Sequence, residues 1–154
     1  MAGITVNFKI DAREMFRKVG QTSFMNAARR WGYATATNLE FWAKQGAPVD
    51  KSRLSTSITH QVIESENNII ARTGTNVFYA PYQEFGTGIY GPRKQMIRPR
   101  TAKVLRWPKR GGGFVFARQV RGVKPRAFFA SALTQERPYA EKRIDNYIKE
   151  EMSR

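Results

Sequence analysis

Ile4-Thr-Val-Asn-Phe-Lys-Ile10 alternates apolar and polar residues, and Asp11-Ala-Arg-Glu14 follows without a break. The period of two is that of a half-buried strand. Asp11 and Glu14 have capping-box spacing, in which Asp accepts from first-turn amides and Glu reaches back. A long helix is therefore expected from about Ala12 to Lys44. Phe16, Val19, Ala27, Trp31, Ala34, Leu39 and Trp42 share one broad apolar face along it. Gly20 and Gly32 weaken it by about 1 kcal/mol each and mark where it can bend or break. Gly46 followed by Pro48 is a stop signal.

Working outward, Ser52 to Ile58 reads as a short helix or turn. Gln61 to Glu66 and Asn68 to Thr73 read as a hairpin, with Asn67-Asn68 supplying the turn. Val77 to Phe85 fits either periodicity, but Pro81 argues against a central strand. The segment 86–113 holds six glycines, three prolines and eight basic residues, a composition expected of a loop or extended arm. Within it a strand is expected at Lys103 to Trp107, and another beyond it at Phe114 to Val120. Pro125 precedes a last helical region that Pro138 is expected to interrupt; after it Ile144, Tyr147, Ile148 and Met152 line one stripe. The expected fold is a single α+β domain over residues 1–154. A mostly antiparallel sheet carries the long N-terminal helix and the C-terminal helix, with a basic arm at about 86–113.

Charge separates this arm from the rest. Between residues 85 and 135 there is no Asp or Glu, yet there are twelve Lys and Arg. They are Arg93, Lys94, Arg98, Arg100, Lys103, Arg106, Lys109, Arg110, Arg118, Arg121, Lys124 and Arg126. The whole chain carries a net charge of +15, so most of the surplus sits in one third of the molecule. Such a field attracts polyanions or acidic protein surfaces. The absence of cysteine excludes disulfides, a thiol nucleophile and a cysteine metal site. With no apolar run of membrane-spanning length and no signal-peptide pattern, the expectation is a chain that is soluble and intracellular when made, with no membrane partner.

Motifs that could carry chemistry are sparse. Gly86-Thr-Gly-Ile-Tyr-Gly91 matches the dinucleotide pattern GxGxxG, but Pro92 follows and no acidic residue stands downstream to hold a ribose. It reads as a flexible turn. His60 is the only histidine; with Asp50 and Ser52, Ser55 or Ser57 it could in principle form a hydrolase triad, but no nucleophile elbow supports one. Arg110-Gly-Gly-Gly-Phe114 has the form of an RGG element and reads as a loop tip between two strands. Tyr90, Trp107, Phe114 and Phe116 interleave with the cations, as in single-strand nucleic-acid binders. Leu105 with Trp107, and Phe114 with Phe116, are also spaced by two, and burial of one ribbon face is the commoner reason for that spacing. The chain is expected to be no enzyme, with no catalytic or metal-binding residues and no cofactor.

Three segments together resemble a known family. They are Gly46-Ala-Pro-Val-Asp-Lys-Ser-Arg-Leu-Ser-Thr-Ser-Ile58, Tyr79-Ala-Pro-Tyr-Gln-Glu-Phe-Gly-Thr-Gly88 and Gly122-Val-Lys-Pro-Arg-Ala-Phe-Phe-Ala-Ser-Ala-Leu133. Their order and content are similar to the HK97-type family of tailed-phage neck proteins, the head–tail joining or tail-completion proteins. Lys51-Ser52 departs from the family's usual Thr-Gly, and the basic arm is longer than the resemblance accounts for.

The resemblance implies a non-enzymatic structural virion protein, assembled in the host cytoplasm and resident in the neck or tail. Its implied partners are copies of itself in a ring (a hexamer), a head-closure or connector protein, and a tail terminator or the tail tube and tape-measure protein. Genomic DNA would pass through the channel. Tyr79, Tyr82, Phe85 and Phe128 are then candidate subunit contacts, with Glu84 pairing to Lys124 or Arg126 of a neighbour. Arg93, Lys94, Arg98, Arg100, Lys103, Arg106, Lys109, Arg110, Arg118 and Arg121 would meet partner proteins or the DNA channel. The alternatives are a tail terminator ring protein and a non-specific single-stranded DNA or RNA binding protein.

Overall fold

A computed structural model describes residues 3–11, 20–48, 53–65 and 68–153. The chain divides into two compact units: residues 1–80 with 128–154, and residues 81–127.

In the first unit, strand β1 (Ile4–Asp11), helix α1 (Gln21–Gly46), a short helix α2 (Arg53–Ser57), strands β2 (Thr59–Ser65) and β3 (Asn68–Thr75) and helix α4 (Phe128–Met152) build an α+β sandwich. The sheet order is β1-β3-β2, antiparallel throughout, with Phe8 opposite Ala71 and Val62 on the other side of Ala71. Central β3 buries Ile69, Ala71, Thr73 and Thr75, its alternate residues, under α1. The alternation of β1 is kept: Ile4, Val6 and Phe8 are half-buried and Thr5, Asn7 and Lys9 exposed.

Helix α1 begins after Gly20, whose φ of 85° is a left-handed value that an L side chain rarely adopts. It does not break at Gly32. A Cβ there would lie 2.7 Å from Ile69 Cγ2 and 3.0 Å from a Val62 methyl, so the glycine lets the helix settle onto the sheet. The expected cap at Asp11 and Glu14, the helical residues Phe16 and Val19, and the turn residue Asn67 lie outside the residues whose side chains are described. Ala27, Trp31 and Leu39 are buried on α1 as their spacing implies, while Ala34 and Trp42 are half-buried.

Helix α4 runs through Pro138, where an interruption was expected. Burial explains this: Phe128, Phe129, Ala132, Glu136, Ala140 and Ile144 lie on one side, four of them before the proline or its turn and two after it. Each large apolar group removed from water contributes about 1.5–3 kcal/mol, comparable to the roughly 3 kcal/mol that a mid-helix proline costs. The indole N–H of Trp31 donates to the Ala140 carbonyl at 2.9 Å, tying α1 to α4 beyond the proline. In the expected stripe Ile144 is buried, Tyr147 and Ile148 are half-buried, and Met152 is exposed.

The second unit contains most of helix α3 (Ala80–Phe85), a 3₁₀ turn (Gly88–Tyr90) and a ribbon of β4 (Leu105–Pro108) and β5 (Phe114–Ala117). Pro81 stands in the first turn of α3, where its missing N–H costs no helical bond. The segment expected as an extended arm thus lies inside a compact unit, held by backbone pairing as described below.

Candidate interaction surface

Unit 81–127 is organised by a clasp between two segments about 40 residues apart in the chain. The amides of Thr87 and Ile89 donate to the carbonyls of Val123 and Arg121, each at 2.9 Å. The Val123 amide donates to Thr87 Oγ1 at 2.9 Å. The amides of Arg126 and Ala127 donate to the Gln83 and Glu84 carbonyls at 2.7 and 3.2 Å. An antiparallel bridge of Ile97 with Val120 extends this pairing. The stretch Gly86–Gly91, expected to be a flexible turn, is therefore a pinned one. Gly86, Gly88 and Gly122 all have positive φ and all meet backbone atoms of the opposite segment where a Cβ would stand.

The ribbon closes over a loop tip at Gly111, Gly112 and Gly113, with φ of 92°, 99° and 77°. Lys109 donates to the Gly113 carbonyl and accepts from the Gly112 amide. Arg106, Pro108, Phe114 and Phe116 share one face, since opposed residues of an antiparallel pair project to the same side. Leu105, Trp107, Val115 and Ala117 form the other. One-face burial was expected for Phe114 and Phe116; instead they are 50% and 61% exposed. The guanidinium of Arg106 stacks on the Phe114 ring, 3.6 Å from its centroid.

All twelve cations of this unit are solvent-exposed, and Glu84 is its only carboxylate. The surplus of eleven charges therefore has almost nothing to neutralise it within the unit. Lys124 lies 5.8 Å from the Tyr90 ring centroid, and Arg98 Nε donates to Gln119 Oε1 at 3.2 Å. Beside the clasp an open groove of about 820 Å3 is lined by Tyr82, Phe85, Met96, Arg93, Arg98 and Arg100 among others. Tyr82 and Phe85, three residues apart on α3, both stand exposed.

The other candidate contacts are placed differently. Phe128 is fully buried in the first unit's core with Leu39, Leu54, Ile58 and Phe129, so it is a packing residue and not a surface one. Its spacing from the preceding basic residues carried no sign of burial, because the helix that buries it begins at Phe128 itself. Tyr79 is half-buried against the same core and meets Phe78 edge-on. Glu84 is only 4% exposed, and its backbone is bonded to Ala127 of its own chain. A pairing with a neighbour's Lys124 or Arg126 is not what this burial favours.

The first unit holds polar clusters that the linear order conceals. Glu40 on α1 is bracketed by Lys44 and His60. Burial pushes the Glu40 carboxyl up, but hydrogen bonds from Lys44 and His60 outweigh it and hold the group below its ordinary value. Ser57, a candidate nucleophile, donates to the Leu54 carbonyl and pairs with Thr75 Oγ1 at 2.6 Å. Asp50 and Ser52 lie outside the described residues. His60, Thr59, Gln61 and Arg72 line a polar groove of about 750 Å3 at one end of the sheet. Glu136 is fully buried between α1 and α4, its Oε1 2.7 Å from Arg143 Nη1 and 3.4 Å from Asn38 Nδ2. The Glu40–Lys44 pair has i,i+4 spacing and was legible; the partners of Glu136 depend on α1 lying beside α4.

Among the described residues no group of His, Asp and Glu could hold a metal ion, and no helix is long and apolar enough to cross a membrane. Comparison of the chain with protein-family models, curated proteins and solved structures finds no match.

Proposed function

We propose that this chain is a structural component of a tailed-phage neck or tail-completion complex, assembling as a ring of six copies that joins head to tail around the DNA channel. One observation carries the reading: a compact unit whose twelve exposed cations face a single, buried carboxylate and whose aromatics Tyr82, Phe85, Phe114 and Phe116 stand open to solvent. Self-repulsion of such a surface is relieved by docking on an acidic one, and exposed aromatics are the side chains that anchor such contacts. The family-like segments support the reading from another side. Residues 83–88 and 122–127, distant in sequence, are the two edges of one clasp, and Leu54 and Ile58 of the first motif pack with Phe128 and Phe129 of the third. The three motifs thus read as one structural set. Ring contacts would come from the groove and ribbon faces, with partner proteins as the main targets and DNA nearby.

The test is a stop codon placed early in the gene of the parent phage, followed by electron microscopy of the lysate. DNA-filled heads and separate, unjoined tails are expected. Normal particles, or the absence of any phage particle from the parent genome, would overturn the reading.

A further inference from the structure

We infer that the β4–β5 ribbon is a stacking platform for single-stranded nucleic acid, built from Phe116 and the Arg106–Phe114 stack. Three observations converge on it. First, the ribbon face of Arg106, Pro108, Phe114 and Phe116 is open to solvent, while Leu105, Val115 and Ala117 on the opposite face are half-buried. Second, Phe114 and Phe116 are two residues apart on one strand and on one face of it, so their Cα atoms are about 7 Å apart. That separation suits successive bases of an extended single strand and not the closely stacked bases of a duplex. Arg106, already stacked on Phe114, offers the outer plane of its guanidinium to a base. Third, exposed Lys109 and Arg110 follow β4 at the loop end of the ribbon and exposed Arg118 follows β5 at the other. The whole unit has one buried carboxylate, so a phosphate chain running along the ribbon meets cations at both ends.

A duplex would use the charge but not the aromatics, and an acidic protein surface would use the charge without presenting a run of flat rings to stack on Phe116 and the Arg106–Phe114 pair. A single strand uses both. Because every base has a π-face, such a platform is tolerant of sequence. The inference rests on the ribbon alone; the ring reading draws on the same ribbon face, but a chain that never enters a particle could still bind this way.

The experiment is fluorescence anisotropy with the full chain and a labelled oligo(dT) of twenty nucleotides, beside a labelled duplex of equal length and heparin, at physiological salt. Binding of oligo(dT) is expected with a dissociation constant on the order of 10 µM. F114A/F116A should weaken oligo(dT) binding roughly ten-fold or more while heparin binding stays unchanged, since stacking is lost and charge is not. Both side chains stand exposed, so F114A/F116A should keep the wild-type circular dichroism spectrum and thermal midpoint, which is the folding control. Failure of the wild-type chain to bind oligo(dT) would overturn the inference. So would an equal loss for oligo(dT) and heparin, or no loss for either, because each outcome leaves phosphate attraction as the whole interaction.

Discussion

Gly88 and Gly122 face each other across the clasp so closely that neither can carry a side chain. A Cβ on Gly88 would stand 2.0 Å from the Arg121 carbonyl oxygen, and one on Gly122 would stand 2.2 Å from the Thr87 carbonyl oxygen. Both residues also have left-handed φ values, 64° and 90°. The unit that displays most of the charge is thus closed by backbone approach, with its largest side chains left outside.

Gly88→Ala and Gly122→Ala should each open the clasp. The conformational strain alone is about 1–3 kcal/mol, and the backbone clash adds to it. Hydrogen exchange is the measurement: the amides of Thr87, Ile89 and Val123 should lose protection while those of β3 keep theirs. Unchanged protection at all three would show that the clasp is not held this way.

Arg143→Met should destabilise the first unit far more than any exposed charge change. It leaves Glu136 buried with no cation, which costs about 3–5 kcal/mol. The Oε2 atom of Glu136 already has no hydrogen-bond partner among the described residues, so the site has no reserve. The double variant Glu136→Leu with Arg143→Met should recover much of the loss. Urea denaturation of the three proteins measures both effects.

Pro138→Ala should stabilise α4. It restores a helical N–H and removes the ring's clash with the preceding turn, for a gain of about 1–3 kcal/mol after the greater freedom of the unfolded alanine chain is counted. Thermal unfolding should shift upward by several degrees. A downward shift would mean that the proline shapes a bend the packing needs.

Glu40 links α1 to β2 through His60 and should make stability depend on pH. Its folded pKa lies below the ordinary value, so the carboxylate's contribution is present above its unfolded pKa of about 4.3 and is lost as pH falls through the folded one. Glu40→Gln should therefore be less stable than the wild type near neutrality, and the two should converge in acid. Denaturation midpoints between pH 7 and pH 2 give the comparison. Glu64, held low chiefly by its hydrogen bond from Arg29, acts in the same direction but stands exposed.

The elements of the first unit were legible because their periodicity and burial agree. The alternation in β1, the hairpin of β2 and β3 and the Gly46–Pro48 stop all sit where the pattern puts them. Pro138 misled because a local penalty was weighed without the packing on α1 that offsets it. At the candidate surface the cations were readable as a charge run, since nothing in the chain could pair with them locally. Phe128 was misplaced because the exposed turn and the buried helix meet between Ala127 and Phe128, a boundary set by the clasp and invisible in composition. Phe114 and Phe116 carry the spacing of a buried ribbon face, and spacing alone does not say whether a second layer exists to cover it.

Cryo-electron microscopy of the parent phage particle tests the central claim most directly. A closed ring of this chain should appear at the junction of head and tail, with residues 81–127 forming contacts between copies and with neighbouring proteins. A particle whose neck and tail are fully accounted for by other chains would contradict it.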